Sequence, residues 1–346
     1  MSPKVFITGV TGFIGGDVLH GLTQTLTASS IVALVRNKSQ AAVVAGRFPT
    51  VIPLIADLDS SVEIQQAAST ADVVLHLASS SHVPSAKAIA EGLAKSERKS
   101  PTWIQISGAS FLAGAEMKAK SFGQPGTKIY NDLDQIHEIH EILAASPQRA
   151  VDQIIRGVHA TNPRVRTATV YGPLIYGQGR GPVNQRSIQI PDLAKATLQH
   201  GHGLHLGRGL NTWSTIHVSD LTALFLRLVV ESTRPVNPEL WNENGIFFAE
   251  SGKMSFGDIG KGIATFAHSQ GFIRTPEVVE IDAAAADRLT PHGSAIWGTN
   301  AQYQAIRARE ILGWRPQGPS SLEGEIARVV LAEASRNFSR PAQKLA

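Results

Sequence analysis

Three glycines place the strongest constraint on this chain. The segment Lys4–Thr8 (KVFIT) is short, apolar and rich in β-branched residues, and it runs directly into Gly9-Val-Thr-Gly12-Phe-Ile-Gly15-Gly16. From Gly15 to Leu26 the residues take on helical character. A buried strand, a glycine turn and a helix in immediate succession open a βαβ unit, and only in that context does a glycine pattern carry meaning. The first glycine permits the tight turn, the second lets backbone approach a pyrophosphate, and the third lets helix and strand pack closely. The helix start adds unpaired N–H groups and partial positive charge. Gly9, Thr11, Gly12, Phe13, Ile14 and Gly15 are therefore read as a dinucleotide-binding loop.

The strand signal recurs at Ile31–Arg36, Val51–Ala56, Val73–Leu77, Trp103–Ser107 and Arg166–Val170. These runs are short and do not alternate with polar residues, as a parallel sheet covered on both faces requires. Helical segments such as Ser61–Ser69 lie between them. Such alternation predicts an α/β fold, a doubly wound parallel sheet with right-handed crossovers, over residues 1–170. Tyr171–Pro182 and Gly201–Gly209 are glycine-rich and read as loops, with a helix at Ser187–His200 between them. Thr215–Glu231 combines a short strand with a long apolar helix, so residues 213–235 are expected to return to the main sheet. Residues 171–212 and 236–340 are assigned to a smaller mixed α/β substrate lobe with a late helix at Ala301–Leu312. The polar stretch Glu333–Ala346 is expected to fray.

Composition narrows the function. Of 346 residues 42% are hydrophobic and 17% charged, an ordinary globular balance. The net charge of +4 is scattered, with no basic run to mark a nucleic-acid surface. Cysteine is absent, which excludes disulfides, thiolate metal sites and cysteine nucleophiles. A core strand starts almost at the first residue, and no apolar run reaches the roughly 18 residues of a membrane span. A cytoplasmic protein acting on a small molecule is expected, with neither membrane nor nucleic acid as partner; a homodimer is left open.

The second strand ends at Arg36, followed by Lys38, about 20 residues past the glycine loop. An acidic residue there would bind the ribose 2′-hydroxyl of NAD(H); arginine suits a 2′-phosphate instead. NADP(H) is the expected cofactor and NAD(H) the alternative.

Thr8–Gly15 resembles the TGxxGxxG of the extended short-chain dehydrogenase/reductase family, which includes sugar-nucleotide epimerases, dehydratases and dihydroflavonol-type reductases. Asp57-Leu58 resembles the family's Asp-Leu beside the adenine, and His76-Leu77-Ala78-Ser79 its HLA at the end of the fourth strand. Tyr176-Gly177, His217–Leu221 and Glu310–Pro316 resemble its VYGPG, HVDDLA and LGWxP segments. The resemblance spans nearly the whole chain and implies a Rossmann fold. It adds Asp57, Leu58, Leu77, Ala78 and Ser79 to the cofactor residues. It also makes Tyr176, Arg180 and Arg186 candidates for holding substrate.

The chemistry departs from that pattern. The family relies on a Ser or Thr after the fifth strand and on a Tyr-x-x-x-Lys, whose lysine lowers the tyrosine pKa. Here the residues four beyond Tyr130, Tyr171, Tyr176 and Tyr303 are Asp134, Ile175, Arg180 and Arg307. The helix beginning near Ser146-Pro147 puts Gln148 or Arg149 near the lysine position. The usual hydroxyl position is Ala109, leaving Ser107 and Ser110 as catalytic candidates. Tyr130 and His137 are added because their segment borders the active site in this family. The spacing His137-Glu-Ile-His140 is not the H-E-x-x-H of a zinc protease, and no metal site is expected. The leading reading is an NADP(H)-dependent reductase of a carbonyl or imine with atypical acid–base residues. The alternatives are a redox-neutral isomerase, dehydratase or cyclase, and a non-catalytic dinucleotide sensor.

Overall fold

A computed structural model describes residues 3–26 and 30–338. Its main sheet has seven strands, numbered here Lys4–Thr8 (β1), Ser30–Val35 (β2), Val51–Ile55 (β3), Val73–His76 (β4), Thr102–Gly108 (β5), Arg166–Gly172 (β6) and Ile246–Phe248 (β7). They lie in the order β3-β2-β1-β4-β5-β6-β7, every neighbouring pair parallel. The chain works outward from β1 to β3, then returns to the other side of β1. That reversal opens a crevice at the carboxyl ends of β1 and β4, where doubly wound sheets bind ligands.

Successive strand residues point to opposite faces, and each face has its own core. Val5 and Ile7 of β1 join one cluster with Leu75 and Ile104; Phe6 joins the other with Val74 and Trp103. The first face is covered by helices Phe13–Thr25 and Val218–Ser232, the second by Ser61–Thr70, Val83–Ala94 and Ala150–Thr161. Both faces are sealed, which is why the strands read as unbroken apolar runs.

The second half departs from the sequence pattern in several places, among them Leu174–Tyr176, expected as loop, which is a strand paired with Thr212–His217. The Thr215–Glu231 segment splits: its strand, Thr212–His217, joins a separate three-stranded sheet, while its helix, Val218–Ser232, packs on the main one. The main sheet instead gains β7, only three residues long and too short to show a period. Gly203–Leu206, expected as loop, is a strand paired with Val278–Ile281. The late helix shrinks to Ile306–Glu310, because Ala301 bonds Thr212 and Ser214 and Gln302 accepts from Tyr130. The expected fraying at Glu333 does not hold: the last helix runs Leu322–Phe338, and buried Glu333 is tied to Arg186. Residues 339–346 of that stretch lie outside the described residues. Among the described residues no helix is long and apolar enough to cross a membrane.

Candidate active site

The glycine loop is shaped by contacts that admit no side chain. Gly9 has φ +80°, and a Cβ there would lie 2.6 Å from the Leu77 carbonyl. A Cβ on Gly15 would lie 2.3 Å from the Gly9 oxygen, so the helix rests directly on the turn. Gly12 caps helix Phe13–Thr25, donating to the Gly9 carbonyl at 2.9 Å. No side chain caps this helix and no acidic residue occupies its first turn. Its leading N–H groups thus remain available to an anion.

A buried polar chain fixes the neighbouring loop. Thr8 Oγ1 accepts from the Leu77 and Ala78 N–H groups at 3.2 and 3.3 Å. Its proton is left for His76 Nδ1, 2.7 Å away. His76 Nε2–H then donates to Ser85 Oγ at 3.2 Å, and Ser85 donates to the His82 carbonyl at 3.0 Å. Burial pushes the His76 pKa down to about 3, so the imidazole is the neutral tautomer this chain requires. Thr8 and His76 carry the shape of the 77–78 loop, a role not assigned from the motifs.

Above these elements lies a cavity of about 300 Å³. Gly9, Thr11, Gly12, Arg36, Asp57, Leu58, Leu77 and Ala78 line it, joined by Leu34, Val35 and Ala56 from the ends of β2 and β3. That volume is at the small end for ligand cavities and suits the adenosine half of a dinucleotide. Arg36 is exposed at its rim, and among the described residues no carboxylate forms an ion pair with it. Asp57 accepts from Ser60 Oγ and from the Asp59 and Ser60 N–H groups; these bonds hold its pKa low and close its own turn. Phe13, Ile14, Gly15, Lys38 and Ser79 are not in the lining. Phe13 packs by Gly179, Ile14 joins the core, and Lys38 is exposed. Ser79 Oγ accepts from the Ser81 and His82 N–H groups.

Beyond β4, the end of β5 carries a second cluster. Arg149, at the cap of helix Ala150–Thr161, donates from NH2 to the Gly108 carbonyl and to Ser110 Oγ, both at 2.9 Å. Its NH1 lies 3.4 Å from Ser107 Oγ and 3.9 Å from Asp152 Oδ2. Asp152 also accepts from Ser107 Oγ at 3.2 Å and from the Tyr171 hydroxyl at 2.8 Å. Burial raises the Asp152 pKa against the pull of Arg149 and these hydroxyls. Ser107 is therefore turned inward to a carboxylate, while Ser110 stays partly open. Ala109, at the family's usual hydroxyl position, is fully buried.

The other candidates do not converge on this cleft. Tyr130 pairs with Tyr303 in a small strand, under the Lys128 ammonium at 4.8 Å, and Tyr303 reaches the Tyr171 carbonyl of β6. His137 opens onto a cavity shared with His140 and Asn242. Asn242 holds the Thr167 N–H at the start of β6, so His137 sits toward the amino ends of the strands, opposite the edge that carries the glycine loop. Tyr176 is buried and donates to the Ser320 carbonyl at 3.1 Å. Arg180 is bound to Asp17, and Arg186 to Glu333 and Asp192. The two guanidinium groups expected to grip substrate are thus engaged within the protein.

The loop that carries Arg180 lies on the glycine loop itself. The Asn184 N–H donates to the Thr11 carbonyl at 3.2 Å, and Gly181 meets Gly16 backbone to backbone.

Comparison with known proteins agrees with this fold. The model of the NAD dependent epimerase/dehydratase family matches residues 5–242. The chain is similar to the oxidase ucsJ of an Acremonium species, 32% identical over 345 residues, covering 97% of this chain and 99% of that one. It is also 28% identical over 240 residues to an uncharacterised Saccharomyces cerevisiae protein, covering 66% and 70% of the two chains. Among solved structures, it resembles the Bacillus cereus UDP-glucuronic acid 4-epimerase in complex with UDP-glucuronic acid and NAD, with a TM-score of 0.63, 13% identity, and 96% and 99% coverage. The Bacillus anthracis dTDP-glucose 4,6-dehydratase in complex with NAD gives 0.65, 14%, and 96% and 97%.

Proposed function

The chain belongs to the NAD dependent epimerase/dehydratase family, and from that membership we propose that it is an NADP(H)-dependent oxidoreductase acting on a carbonyl or imine carbon, or the corresponding alcohol or amine, of a small metabolite. The observation that carries this reading is the cavity above the glycine loop with Arg36 exposed at its rim. The cradle fits a dinucleotide, since the positions where a Cβ would collide are those the backbone needs bare. When bound, a nicotinamide dinucleotide supplies or accepts the hydride.

The residues have distinct tasks. Gly12 and the uncapped helix start receive the pyrophosphate. Arg36 pairs with a 2′-phosphate, which a guanidinium grips bidentately. Thr8 and His76 keep the 77–78 loop in place beneath the cofactor. Ser110 is the hydroxyl left open at the end of β5 and a hydrogen-bond donor to the substrate. The similarity to a protein named as an oxidase favours redox chemistry over the redox-neutral alternative.

Titration with NADPH and NADH, followed by calorimetry, tests the cofactor. A substrate screen followed by nicotinamide absorbance tests the reaction. Turnover with the nicotinamide redox state unchanged would replace this reading with that of an isomerase or dehydratase.

A further inference from the structure

The adenosine cavity sits over β1, β2 and β3, and the uncapped helix marks the pyrophosphate. A dinucleotide seated there would extend past β4 toward the end of β5, the next strand in the sheet. What waits at that end is a cation. The Arg149 side chain is only 12% exposed, yet its two 2.9 Å bonds go to neutral acceptors, Gly108 O and Ser110 Oγ. Among the described residues the one carboxylate within ion-pair distance is Asp152, at 3.9 Å. Asp152 is already engaged by Tyr171 and Ser107, and Arg156 is a second cation acting on it. Asp152 is thus shared with two hydroxyls and a second arginine, and the Arg149 charge has no nearer carboxylate among the described residues, an arrangement that favours an anionic partner.

The surroundings are built to receive one. Phe111 lies under the guanidinium, 5.6 Å from ring centre to Arg149 Cζ, and holds its plane. Ser110 Oγ accepts from Arg149 and so keeps its own proton free to donate outward. A Cβ on Gly108 would meet only Ser110 Oγ, at 3.9 Å, so there is room beside Gly108, whose carbonyl accepts from Arg149.

We propose that Arg149 and Ser110 bind a substrate carboxylate next to the reacting carbon, which makes the substrate class a 2-oxo or 2-imino acid or its hydroxy or amino counterpart. This deepens the oxidoreductase reading and rests on it. The carboxylate would answer the Arg149 charge and accept from Ser110 Oγ, with the adjacent carbon held beside the end of β5.

Binding tests this without turnover. Protein loaded with NADP⁺ is titrated by calorimetry with pyruvate, oxamate and benzoate, and with their neutral amides. The expected result is saturable binding of at least one acid and none of its amide. In Arg149→Met the acid affinity should fall about 10- to 100-fold, the scale of a lost charge-assisted hydrogen bond, with partial recovery in Arg149→Lys. NADP⁺ affinity measured in the same variants shows that they are folded. Equal binding of acid and amide, undiminished acid binding in Arg149→Met, or no acid binding by the loaded protein overturns the inference alone. Failure to load with either dinucleotide overturns the oxidoreductase reading and this inference together.

Discussion

Arg180 and Asp17, 163 residues apart in sequence, form a three-bond contact: the Arg180 backbone N–H and Nε reach Asp17 Oδ1 at 2.8 and 2.9 Å, and NH2 reaches Oδ2 at 2.6 Å. Asp17 is fully buried in the helix that opens at the glycine loop, and Thr222 donates to its Oδ2 at 2.6 Å. Burial alone would raise the Asp17 pKa, but the bonds from Arg180 and Thr222 outweigh it and hold the group ionised. Arg180→Met should therefore leave a buried charge short of its counter-ion. The expected loss is about 2 kcal/mol, below the usual figure for breaking a buried pair because the arginine is partly solvated. Urea denaturation checks this, and a loss below a few tenths of a kcal/mol would contradict it.

Gly12→Val should remove dinucleotide binding while the protein stays folded. The added Cβ meets only the Gly9 oxygen, at 3.2 Å, but the side chain projects into the cavity that Gly12 lines. Gly15→Ala is the contrasting case, since its Cβ would fall 2.3 Å from that oxygen and must displace backbone. It should lower stability by about 1–3 kcal/mol. Calorimetric titration together with thermal melts separates the two outcomes; unchanged affinity in Gly12→Val would remove the cofactor assignment.

Arg36→Asp should reverse the nucleotide preference. A guanidinium pairs with a 2′-phosphate, whereas a carboxylate repels it and accepts from a 2′-hydroxyl. The change is expected on the order of 1–3 kcal/mol in relative affinity for NADPH against NADH. If the ratio of the two dissociation constants does not move, Arg36 does not face the ribose.

Stability should depend on pH through Asp132. Its carboxylate is fully buried and accepts the Phe248 and Arg307 N–H groups at 2.8 and 2.9 Å. Burial raises its pKa from 3.8 to about 7 despite those bonds. Between these values the folded protein binds more protons than the unfolded chain, so the contribution of Asp132 to stability declines as pH rises. It is full below 3.8 and lost above about 7. Denaturation free energies measured across this window should fall more steeply in the wild type than in Asp132→Asn; parallel curves would dismiss the assignment.

Much of the dinucleotide site could be read from residues adjacent in sequence. Strand, glycine turn and helix are local patterns, and Arg36 follows directly from where β2 ends. What stayed hidden depends on distant partners. Nothing near Arg180 in sequence signals Asp17, so an arginine in a Gly- and Pro-rich loop reads as free for ligand. Strand β7 becomes a strand only through its pairing with β6. His137 was legible after all: Ile136, Ile139 and Leu143 are the buried positions of its helix, and that spacing turns residue 137 outward. Counting along the helix puts Gln148 or Arg149 near the family's lysine; the bonds of Arg149 to Gly108 and Ser110 required the fold.

The contact joining residues 17, 180 and 222 also bears on biosynthesis. The glycine loop leaves the ribosome before the segments that clasp its helix, whose Arg180 and Thr222 follow Asp17 by 163 and 205 residues. A nascent chain halted before Thr222 would hold the phosphate-binding motif without its clamp. Cofactor capture should therefore be a late event in folding, and the free nucleotide should act as a ligand for the finished protein rather than as a nucleus for the growing one.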